Sequence, residues 1–72
     1  MRQYVVKQYI DTLDTNPTVS NVVPEWEALD IKAQWLYETV DYVVQHSPYT
    51  VSETEYSEIV EAESALIIIE EV

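Results

Sequence analysis

No glycine occurs among the 72 residues of this chain. Glycine supplies most of the φ > 0 positions that tight hairpin turns and many helix C-caps require. Asn is the usual substitute, but only Asn16 and Asn21 are present, and neither sits in an obvious hairpin. The chain is therefore expected to favour helices joined by Pro-, Ser- and Thr-containing loops. The same absence excludes a P-loop, a Gly-rich dinucleotide fingerprint and a standard EF-hand loop.

The stretch from Asp30 to His46 holds no Gly or Pro and is bracketed by Pro24 and Pro48. Placed on a helix, it carries two apolar faces. Ala33, Leu36, Val40, Val43 and Val44 form one, which Leu29 extends backwards. Ile31, Trp35 and Tyr42 form the other. Gln34, Glu38, Asp41 and Gln45 make a polar strip between them. A helix on the outside of a small domain needs a single apolar stripe. Two stripes predict cover on both sides, by the rest of the chain and by a partner. Pro24 suits a first helical turn, so the helix starts either near Pro24 or at Asp30, acting as N-cap.

Two further helices are expected. Over residues 2–14, Val5, Val6, Tyr9, Ile10 and Leu13 cluster on one face. The β-branched and aromatic Tyr4–Ile10 allows a strand as the alternative, but its apolar residues do not alternate, which favours the helix. Residues 15–23 read as a connector begun by Asn16 and Pro17. Ser52–Glu55 matches a capping box, with Val51 and Tyr56 at the staple positions, and predicts a helix over 53–69. Glu63 falls in the middle of its inner face. Either it lies at an interface opposite a basic group, or the helix ends early and 64–72 is a strand or irregular. The expectation is an all-α, three-helix domain (2–14, 24/30–46, 53–69) spanning residues 1–72.

A domain this short is marginally stable alone. With no Cys, disulfides and thiolate metal sites cannot reinforce it, which gives weight to association with a partner. Residues 1–9 hold neither a long apolar run nor a small-residue cleavage site, and the run Ala65–Ile69 is far too short to cross a bilayer. A cytoplasmic protein is expected.

Fourteen acids against three bases give a net charge of −11. Residues 1–32 hold all three bases and five acids, whereas 33–72 hold nine acids and no Lys or Arg. Such a surface repels nucleic acid and anionic membranes. Direct binding to either is not expected. The 47% hydrophobic content with two Trp and six Tyr argues for a folded domain rather than disorder.

The acids Glu53, Glu55, Glu58, Glu61 and Glu63 fall within roughly 15 Å on a helix. That is about one charge per 4 Å, near the phosphate spacing along one DNA strand of about 3.4 Å. Glu70, Glu71, Glu38 and Asp41 would extend the surface, with Trp35 and Tyr42 as anchors of the type enriched at interface hot spots. The bland alternatives are a solvated acidic helix that confers solubility and aromatic residues packed within the chain. What favours the interface is the lack of cations to form i,i+4 pairs. His46, the sole histidine, lacks a recognisable triad spacing and reads as a helix-terminal residue. No catalytic, cofactor or metal site is expected.

In composition alone the chain resembles the small acidic proteins with which phages and mobile elements block host DNA-binding or nuclease systems. Those proteins share no fold or motif, so no residue role carries over. The expected function is a non-enzymatic interaction module that binds and inhibits a basic, nucleic-acid-binding protein by charge mimicry or occlusion. The alternative is a self-associating structural or adaptor subunit, such as a homodimer, joined through the Ile31–Trp35–Tyr42 face or the C-terminal segment.

Overall fold

The computed structural model describes residues 2–72. Three strands and two helices follow in the order β1 (Tyr4–Gln8), β2 (Thr18–Val19), α1 (Glu25–Gln45), α2 (Glu53–Ala65) and β3 (Ile67–Glu71). The strands form one antiparallel sheet in the order β2-β1-β3. The fold is α+β, which corrects the all-α, wholly helical expectation.

The first correction concerns residues 2–14. Tyr4, Val5 and Val6 are aromatic and β-branched, a composition that fits the pleated surface of a central strand. In the strand, Tyr4 and Val6 turn towards α1, where Val6 is fully buried and Tyr4 packs against the core. Gln8 holds the next inward position, which hides the alternation in the sequence. Its Nε2 donates to Thr39 Oγ1 on α1 at 2.8 Å, so the polar group is satisfied there. The chain then leaves the sheet in a turn built by Asp11 and Asp14. Asp11 Oδ1 accepts from Leu13 N–H at 2.8 Å, and Asp14 accepts from Ile10 N–H at 2.9 Å and from Asn16 N–H at 2.8 Å.

Strands without glycine are possible because no tight hairpin is used. β1 and β2 are joined by the loop 9–17, and β3 arrives directly from α2. No described residue has a positive φ. Beyond β2 the chain stays beside β1 irregularly. Val6 N–H donates to Ser20 Oγ at 2.8 Å and Tyr4 exchanges backbone bonds with Val23 at 2.8 and 2.9 Å.

The central helix begins at Glu25 with Pro24 as its N-cap and runs unbroken to Gln45, so Asp30 is an interior residue. Its two apolar faces are both used. Ala28, Ile31 and Trp35 lie against the sheet, in a core made by Val6, Val23, Ala28 and Ile67. About a third of a turn away, the fully buried Val40 shares a face with Leu36 and Val43, and Val43 borders a hollow with Ile59 and Ala62 of α2.

The second correction concerns residues 53–69. Ser52 caps α2 as the capping box predicts, its Oγ accepting from Glu55 N–H at 3.2 Å. The helix ends at Ala65 and residues 67–71 form β3, the strand alternative left open for 64–72. Three consecutive isoleucines favour a strand over a further helical turn. Register from Tyr4↔Glu71 to Gln8↔Ile67 then places Ile67 and Ile69 on the core side.

Candidate interface

The sequence-predicted partner-binding residues separate into groups. Successive helical residues turn by about 100°, so the five acids of α2 wind around the helix instead of forming one row. Glu53, Glu58 and Glu61 are exposed on the solvent side. Glu55 and Glu63 are half-buried. Glu55 is engaged locally: Ser52 Oγ donates to its Oε1 at 3.1 Å, and hydrogen bonding to this carboxylate pushes the Tyr49 phenol above its ordinary pKa. Glu63 sits where α2 meets the sheet, beside Gln8, Tyr9, Ile10, Thr18 and Thr39. This polar junction accounts for a carboxylate on the inner face.

Glu38 and Asp41 are exposed on α1, on the side turned from α2, so the structure does not join them to the α2 acids. Glu38 accepts from Gln34 Nε2 at 3.2 Å. Trp35 packs against the core. Tyr42 follows it on the same stripe two turns later, where α1 has run past the end of the sheet, and is 63% exposed. Its ring stacks on His46 with centroids 4.0 Å apart, while His46 Nδ1 lies 2.8 Å from the Tyr42 carbonyl. His46 therefore closes α1.

A different apolar stripe reaches solvent. Trp26, Leu29, Ala33 and Tyr37 fall within about 80° of arc on α1, and Trp26, Leu29 and Tyr37 are 66%, 55% and 59% exposed. Further along the helix the same side is occupied by Val40 and Val44, which α2 covers. The first half of α1 outruns that cover. Alongside the stripe, Lys32 and Tyr37 of α1 and Tyr56, Val60, Glu61 and Ser64 of α2 enclose an open hollow. Sequence reasoning placed Leu29 and Ala33 on an apolar face expected to be covered, and left Trp35 either an interface anchor or packed within the chain. Packing against the core decides for the latter, and Leu29 and Ala33 are exposed. The periodicity reveals both stripes but not which one the sheet covers.

Charge is divided by layer. Helix α1 carries five acids and only Lys32, and α2 carries five acids and no base, so the helical layer sums to −9. The sheet holds both ion pairs found among the described residues: Lys7 Nζ to Glu70 Oε2 at 2.9 Å and Arg2 Nε to Glu71 Oε1 at 3.7 Å. No described acid of either helix has a cation partner. Nor does any group of three His, Cys, Asp or Glu side chains among the described residues have metal-binding geometry. No helix among the described residues is long and apolar enough to cross a membrane.

The fold and surface thus define a small α+β protein with an acidic helical layer on a sheet whose two acids are ion-paired. No protein-family model, curated protein or solved structure matches the chain.

Proposed function

We propose that this chain is an interaction module that docks its helical layer on a basic protein surface, of the kind that binds nucleic acid, and inhibits it by occlusion. The observation that carries this reading is the layer's charge of −9 with no acid ion-paired among the described residues, beside an exposed aromatic stripe. Unpaired carboxylates steer a basic partner and set its orientation. Affinity needs buried anchors as well, because rim charges contribute little on their own. Trp26, Leu29 and Tyr37 supply such anchors, with Glu53, Glu58 and Glu61 on the adjoining helix. Tyr42 stands apart from them at the far end of α1.

The test is retention of basic proteins from a bacterial lysate on the immobilised chain, with elution by salt and by double-stranded DNA. Specific proteins released by both, and lost from a Glu58→Lys, Glu61→Lys variant, would support the reading. Equal retention by the charge-reversed variant would reject it.

A further inference from the structure

We propose that the sheet face turned away from α1 is a self-association surface, on which a second copy of this chain stacks its own sheet face to face, giving an α/β/β/α dimer. Alternation along the strands builds that face. Tyr4, Val6, Ile67 and Ile69 turn towards α1, so their neighbours Val5, Lys7, Ile68 and Glu70 turn the other way. Register sets Val19, Lys7 and Ile68 in one row across the three strands, with Val5 beside Glu70 in the next. Val72 N–H donates to the Gln3 carbonyl at 2.9 Å, which continues the ladder and keeps Val72 on the same side. Val19, Ile68 and Val72 are 52%, 39% and 71% exposed, and Val5 is half-buried. Helix α1 packs on the opposite face and α2 packs on α1, so neither helix covers this one. The water-facing side of an antiparallel sheet is ordinarily polar. Here it is mostly aliphatic.

Charge selects a second copy as the occupant. The helices carry −9 of the net charge, and Asp11 and Asp14 in the loop 9–17 carry the rest. Lys7 and Arg2 offset Glu70 and Glu71, so the sheet adds nothing to the total. On the face itself Lys7 Nζ meets Glu70 Oε2 at 2.9 Å, and Glu70, on an edge strand, keeps that pair at the wet rim of the contact. A basic partner is steered to the helices, whereas this face offers it no net charge. Two like chains repel through their helices, and face-to-face stacking holds both helical layers on the outside. Stacked sheets lie about 10 Å apart and the helices lie further out, so the layers are separated by more than the Debye length of about 8 Å at physiological ionic strength. Antiparallel stacking also sends the two 9–17 loops, with Asp11 and Asp14, to opposite ends.

Size sets the strength. Three strands of up to five residues make a face of roughly 14 × 17 Å, about 240 Å² in projection. That is well under the roughly 800 Å² that each partner contributes to a standard interface. The dimer is therefore a weak one, with a Kd on the order of 100 μM, and it leaves both helical layers free to dock. Salt should tighten it by screening the residual repulsion between the copies. Docking of a basic partner on the helices would instead weaken with salt, so the two proposals can fail separately.

Sedimentation equilibrium at concentrations up to about 1 mM, at low and high salt, tests the inference. The expected result is a monomer–dimer equilibrium that shifts to dimer as salt rises. Ile68→Lys brings like charges into the stacked face and should raise the dimer Kd about tenfold or more. Trp26→Ala, on the helical layer, should leave that Kd unchanged. Should Ile68→Lys fail to fold, Val19→Lys at a more exposed position serves the same purpose. In NMR spectra of the unaltered chain, the Val5, Val19 and Ile68 methyl resonances should shift with concentration while the Trp26 and Tyr37 ring resonances stay. A monomer at every concentration and salt would overturn the inference. So would a dimer that survives both lysine variants, or concentration-dependent shifts at Trp26 and Tyr37 in place of the sheet methyls.

Discussion

At the scale of single residues, stability rests on few side chains. Val6, Val23, Ala28, Val40 and Ile67 are the buried hydrophobic residues, and no described polar residue is buried with them. Ile67 is fully buried between the sheet and α1, so Ile67→Ala should lower the urea-unfolding free energy by about 2–4 kcal/mol, a large part of what a domain of this size has. Ser52→Ala should cost about 1 kcal/mol through loss of the α2 cap, read in the same titration. Asp14 gives a pH-dependent case. Its bond from Ile10 N–H, followed by that from Asn16 N–H, holds its carboxyl below the ordinary carboxylate range. A depressed folded-state pKa means that the contribution is complete above the unfolded value of about 4 and is lost as pH falls through the folded value. Acidification should therefore release the Ile10 and Asn16 amides to exchange, and Asp14→Ala should remove that pH dependence. Protection unchanged on acidification would contradict the assignment.

At the scale of elements, the two tryptophans distinguish the faces of α1. Trp35 packs against the core and Trp26 is 66% exposed. Trp26→Ala should leave stability within about 0.5 kcal/mol, whereas Trp35→Ala should cost about 3 kcal/mol or more. In single-Trp variants, iodide should quench Trp26 more strongly than Trp35, although a net-negative chain disfavours iodide throughout. Equal quenching would mean that α1 is rotated on the sheet. The same helix shows how far periodicity reaches. Its breaker-free composition and two apolar stripes define a doubly covered helix, and the capping box at Ser52 fixes where α2 begins. The strand β1 was hidden because Gln8 occupies an inward position, and its partner Thr39 is 31 residues away.

At the scale of the whole molecule, which extends 46 × 25 × 16 Å, the 21 residues of α1, roughly 31 Å long, run beyond strands of five residues or fewer, roughly 17 Å. The overhang leaves Tyr42 in solvent, and the early end of α2's cover leaves the Trp26–Leu29–Tyr37 stripe open. If the helical layer is the docking surface, Trp26→Ala and Tyr37→Ala should each weaken partner binding about tenfold or more with little change in its salt dependence. Glu58→Lys with Glu61→Lys should instead reduce the salt dependence itself. Binding isotherms at several salt concentrations separate these effects, and no change with either pair would exclude this face.

The sequence by itself determined what is local. Composition sets the charge and its concentration after Lys32, glycine's absence removes tight hairpins, and spacing gives the end of α1 and the start of α2, while the start of α1 stays open between Pro24 and Asp30. It did not determine whether Tyr4–Gln8 and Ile67–Glu71 are strands, because each is short and its conformation depends on pairing with the other across more than 50 residues of chain. Nor did it determine that the Trp26–Leu29–Tyr37 side of the first half of α1 faces solvent. That is decided only when the sheet and α2 assemble around the helix and cover its other apolar residues. The acids likewise have a fixed order along the chain, but only assembly separates the paired carboxylates of β3 from the unpaired ones of the helices. Strand pairing, facial burial and charge pairing all join residues distant in sequence, and tertiary structure decides them for that reason.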